Sequence, residues 1–75
     1  MITEIGIVAG EIWHILDETE ECPLSLLCAR LGERPRDLIL MSVGWLCREG
    51  HVQMAQQTKD YAIRLRRPAD RSHLG

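Results

Sequence analysis

The sequence predicts an α+β fold, three helices followed by a two-stranded antiparallel wing, and three observations carry that expectation. Apolar residues recur at helical spacing in three stretches before Gly50, strict alternation replaces that period after it, and Pro and Gly punctuate the joins.

In the first stretch Ile5, Val8, Ile12 and Ile15 share one side, flanked by Ala9, Trp13 and Leu16, while Glu4, Glu11, His14 and Glu18 fall opposite. This is an amphipathic helix. Thr3 suits its N-cap and Glu4 its first turn, where an acid complements the helix dipole, so the helix is expected over residues 4–18. The segment Thr19-Glu20-Glu21-Cys22-Pro23 ends the period, because proline disfavours a helical conformation in the residue before it. Leu24, Leu27, Cys28 and Leu31 then form one stripe, and Gly32 suits the left-handed position that closes a helix, giving a short second helix over residues 24–31. Pro35 fits the first turn of a third helix, where its missing amide hydrogen costs nothing. That helix is expected over residues 35–49, with Gly50 ending it and Ile39, Val43 and Leu46 facing inward.

After Gly50 the alternation of Val52 and Met54, and of Tyr61, Ile63 and Leu65, reads as two half-buried strands over residues 51–56 and 61–66, joined by the polar Gln56–Asp60 segment. Two helices joined by a short glycine-containing turn and followed by a hairpin make a winged helix-turn-helix. The domain is expected to span residues 1–67, leaving the polar, aperiodic residues 68–75 as a disordered tail.

Seventy-five residues, 45% of them hydrophobic and none of them Phe, supply one small core, expected to pack around Trp13 and Trp45 with Trp13 and Leu16 facing the third helix. The longest apolar runs, such as Leu38–Met41, are four residues, too short for a membrane span or a signal-peptide core. The expectation is a cytoplasmic protein. Cys22, Cys28 and Cys47 are odd in number and form no CxxC pair, which argues against a disulfide framework and a zinc ribbon. With His14, His51 and His73 they reach no recognised metal spacing, so neither metal nor cofactor is expected. Cys28 and Cys47 sit on apolar faces, where a thiol is inert, and no nucleophile–base spacing or glycine-rich phosphate loop appears. The chain does not read as an enzyme.

Charge is unevenly spread. Residues 1–33 carry seven acids against one base (−6) and residues 34–75 eight bases against four acids (+4), together the net −2 of the chain. A basic half serves an acidic partner or self-association equally well.

Gly10-Glu11-Ile12-Trp13-His14-Ile15-Leu16 and Val43-Gly44-Trp45-Leu46-Cys47-Arg48-Glu49-Gly50-His51-Val52 resemble the two signature stretches of a family of short bacterial and archaeal winged-helix proteins of unknown function, across residues 5–66. The resemblance implies the winged-helix fold and a DNA-binding-like architecture, with no ligand or catalytic residue to carry over.

In such a fold the third helix enters the major groove, and its outward residues need donors or acceptors for base edges. Here the outward arc is Asp37, Leu40, Met41, Gly44 and Arg48, with Arg36 nearer the flank. Arg36 and Arg48 are the base-contact candidates, and Lys59, Arg64, Arg66 and Arg67 are candidates for phosphate contacts that do not read sequence. A second apolar stripe, Leu38, Met41 and Trp45, is either core or the interface of a homodimer. Two functions follow: a weakly and largely non-specifically DNA-associated protein acting in transcription regulation, or a protein-interaction module on the same scaffold that does not bind DNA.

Overall fold

The computed structural model describes residues 2–66, so Arg67 and the expected tail lie outside the described residues. The elements are α1 (Ile2–Thr19), β1 (Glu21–Pro23), α2 (Leu24–Arg30), α3 (Arg36–Arg48), β2 (Val52–Gln56) and β3 (Tyr61–Leu65). Each expected helix and strand is present within two residues of its expected bounds, and together they make a winged helix.

The joins explain the small differences. Thr3 lies inside α1, which starts at Ile2 among the described residues, so it is not the N-cap. At the other end Glu20 takes the left-handed conformation (φ 68°) and its N–H donates to the Leu16 carbonyl at 2.6 Å, closing α1 without a glycine. Gly32 does not have the positive φ expected of it; α2 instead ends at Leu31 (φ −105°), whose N–H donates to the Leu27 carbonyl. Pro35 stands just outside α3 in an extended conformation, and its carbonyl accepts the first helical hydrogen bond, from Ile39 N–H at 3.1 Å. Gly50 behaves as expected. At φ 81° it donates to the Cys47 carbonyl while His51 N–H reaches back to Leu46 O at 2.9 Å, the paired bonds of a Schellman ending.

The sheet has a third strand that the periodicity does not signal. Glu21–Pro23 pairs antiparallel with β3, which is central in the order β1-β3-β2, with Cys22 opposite Ile63 and Val52 opposite Leu65. Three residues are too few to display alternation, and Pro23 sits at the strand's end, where a missing N–H is tolerated.

The core lies where α1 and α3 cross over the sheet, filled by Val8, Ile12, Leu16, Leu27, Ile39, Val43 and Ile63. Trp13 and Trp45 do not organise it: they remain 40% and 44% exposed, each at the margin of its helix's buried stripe. Aliphatic residues of α1, α2, α3 and β3 fill the interior, and the indoles remain at its edge. Leu16 is buried as expected, and Leu38, at 6% exposure, also belongs to the core. Ser42 is the one buried polar residue among those described, and its hydroxyl donates to Leu38 O at 2.7 Å, one turn back, satisfying itself locally.

Candidate nucleic-acid interface

In a winged helix the outer face of the third helix and the hairpin are the surfaces that meet DNA. On α3 that outer face consists of Asp37, Leu40, Met41, Gly44, Trp45 and Arg48, all exposed. Leu40, Met41 and Gly44 offer no polar side chain, Trp45 offers a single indole N–H, and Asp37 repels phosphate, which leaves Arg48 in the last turn as the one cation there. Arg36 is turned to the flank, where its guanidinium donates to Cys28 Sγ at 3.6 Å and its charge acts on Asp60.

The wing is fastened at both ends. At its base Arg66 N–H donates to His51 O at 2.9 Å, and the His51 ring lies 6.4 Å from that of Trp45. At its tip Asp60 accepts from Ser25 N–H at 3.3 Å, from Ser25 Oγ–H at 2.5 Å and from its neighbour Tyr61 N–H at 2.7 Å. Since Pro23 gives α2 no side-chain cap, Asp60 supplies from the distant wing loop what an N-cap residue would. These hydrogen bonds, that from the Ser25 side chain first, hold the Asp60 carboxyl below its ordinary value of 3.8. A contact spanning 35 residues has no local sequence signal.

Arg48, Lys59, Arg64 and Arg66 are exposed, and none donates to a carboxylate among the described residues. Arg64 faces the same side of the sheet as its cross-strand neighbours Glu21 and Gln53, so one acid stands beside it. By contrast Arg34 grips Glu11 through two hydrogen bonds of 3.1 and 2.9 Å, clamping the α2–α3 turn to α1. That pairing pushes the Arg34 guanidinium still higher.

Nothing gathers into a catalytic constellation among the described residues. An open groove of about 490 Å³ is lined by Ile7, Gly10, Glu11, His14, Ile15 and Leu31, and the one carboxylate in it is taken by Arg34. Burial pushes the Cys22 and Cys47 thiols up, away from the reactive thiolate. No cluster of three His, Cys, Asp or Glu able to hold a metal occurs among the described residues, and none of their helices is long and apolar enough to cross a membrane.

The model of one family, described as a winged helix-turn-helix domain (DUF2582), matches residues 1–65. Neither curated proteins nor solved structures yield a match. With helix order, wing and family model in agreement, the chain belongs to the winged helix-turn-helix domain family DUF2582, a family without an assigned activity whose fold is a common DNA-binding one.

Proposed function

We propose that this domain is a non-catalytic, DNA-associated module that holds the duplex through its wing, by phosphate contacts that do not read sequence, in the service of cytoplasmic transcription regulation. The observation that carries this reading is the set of exposed cations on the wing and its exit, Lys59, Arg64 and Arg66, none of them hydrogen-bonded to a carboxylate among the described residues. Phosphate neutralisation needs only accessible cations, whereas base readout needs donors and acceptors, of which the outer face of α3 carries few. Affinity is expected in the non-specific range, roughly 10⁻⁴ to 10⁻⁶ M near physiological salt. Titration of a mixed-sequence duplex at low and moderate salt tests it. Replacing Arg64 and Arg66 together by Gln should weaken binding alike for all sequences and flatten the salt dependence by about two units. An absence of binding even at low salt would overturn the proposal, and nanomolar binding to one duplex would show that Arg36 and Arg48 read bases.

A second reading, a protein-interaction module that leaves DNA alone, is favoured by one observation. Leu40, Met41 and Trp45 on α3 are exposed large apolar side chains where a DNA reader would carry polar ones.

A further inference from the structure

The outer face of α3 has an internal order that the wing reading does not use. Asp37, Met41, Gly44 and Arg48 follow one another at spacings of four, three and four, which places them along a single seam, and all four are exposed. Leu40 borders the seam on one side and Trp45 on the other. Opposite charges stand at its two ends, roughly 16 Å apart at about 1.5 Å per residue, and a long side chain and a missing one stand at its middle. A side chain built at Gly44 would meet nothing within 4 Å, so the helix has an open notch there.

We infer that α3 pairs with α3 of a second copy of this chain, antiparallel, about a twofold axis midway between Met41 and Gly44. Reversal about that axis brings Asp37 opposite Arg48 of the second copy at both ends of the contact, and Met41 opposite the notch at Gly44 of the second copy in both central layers. The two Trp45 side chains cover one flank and the two Leu40 side chains the other. The surface is thus complementary to itself in charge and in shape, which is what an isologous contact requires. No other partner is called for by the pattern: a duplex would be repelled by Asp37 and gains nothing from Met41 and Trp45. A single helix pair is small against the roughly 1,200 Å² of a stable interface, so the dimer is a weak one.

Leu38, expected as part of this interface, is excluded from it because it is buried in its own domain. The inference does not depend on DNA binding through the wing, since the two surfaces are read by different measurements.

Sedimentation of the full chain, in a series reaching about 1 mM, tests the pairing, with circular dichroism confirming that each variant is folded. The wild type should show a monomer–dimer equilibrium. Gly44→Leu fills the notch without touching the core and should leave a folded monomer. Asp37→Arg and Arg48→Asp should each weaken association on the order of tenfold, and the two together should restore it, because the attraction is exchanged and not lost. A wild type that stays monomeric at the highest concentration, a Gly44→Leu variant that still dimerises, or a double exchange that fails to restore association would each overturn the proposal.

Discussion

The two faces of α3 both carry large apolar side chains, which meet opposite fates. The inner face, Leu38, Ile39, Ser42, Val43 and Leu46, is buried against α1 and the sheet, while the outer face, with Leu40, Met41 and Trp45, stays in water. Side-chain hydrophobicity therefore does not by itself decide burial in so small a domain. A short chain has one core and a limited set of elements to cover it, and Leu40, Met41 and Trp45 are left over. What the inner face gives is stability; what the outer face offers is surface for association. The lone buried hydroxyl among the described residues, on Ser42, is tolerated inside because a carbonyl of its own helix accepts its hydrogen bond.

That contrast is sharpest in a pair of substitutions two residues apart. Leu46→Ala, at a side chain 3% exposed, should cost about 2–5 kcal/mol in chemical denaturation, because it removes core atoms and leaves a cavity. In a domain of this size that is a large part of the whole stability. Wild-type-like unfolding would mean that the inner face has been assigned wrongly. Gly44→Ala should act in the other direction in the dilute, monomeric chain, stabilising by roughly 0.5–1 kcal/mol, since a helical glycine is replaced at a site where a Cβ meets nothing within 4 Å. Destabilisation at Gly44 would show that the outer face is packed after all.

A smaller effect distinguishes contacts made on the surface from those made in the core. The carboxyl of Asp60 is held below its ordinary value by Ser25 and Tyr61, so its contribution is present above the unfolded-state value and is lost as pH falls through the folded one. Asp60→Asn should therefore lower the melting temperature modestly at neutral pH, and the gap from wild type should close as pH drops below about 4, near the unfolded-state value. A gap that is constant with pH would mean that Asp60 acts through shape and not through its charge. Smaller again is the effect of Glu21, the acid across from Arg64 in the sheet. Glu21→Gln should strengthen duplex binding at low salt by a few-fold and do so less as salt rises. An unchanged affinity would remove Arg64 from the set of phosphate contacts.

Much of this was legible in the residues. The periods of Ile5–Leu16, Leu24–Leu31 and Ile39–Leu46 gave three helices, Gly50 gave the stop, and the alternation around Val52 and Ile63 gave the wing. The exposed cations of the wing were legible too, because strand alternation states which side chains face water. Glu20 as a helix terminator was not, since the sequence carries no glycine there to signal a left-handed residue. Nor was Asp60 as the cap of α2, a role created by bringing the wing tip to Ser25.

By itself, then, the sequence determined element type and order, because helical and strand periods are local properties written within a few residues. Only the tertiary structure decided that Trp13 and Trp45 stand outside the core, that Leu38 stands inside it, and that Glu21–Pro23 is a strand on the edge of β3. Each of those outcomes depends on competition among distant segments for a single small interior and for the free edge of one strand. Such competition is settled by packing volume and hydrogen-bond geometry across the whole chain, quantities that no local window contains.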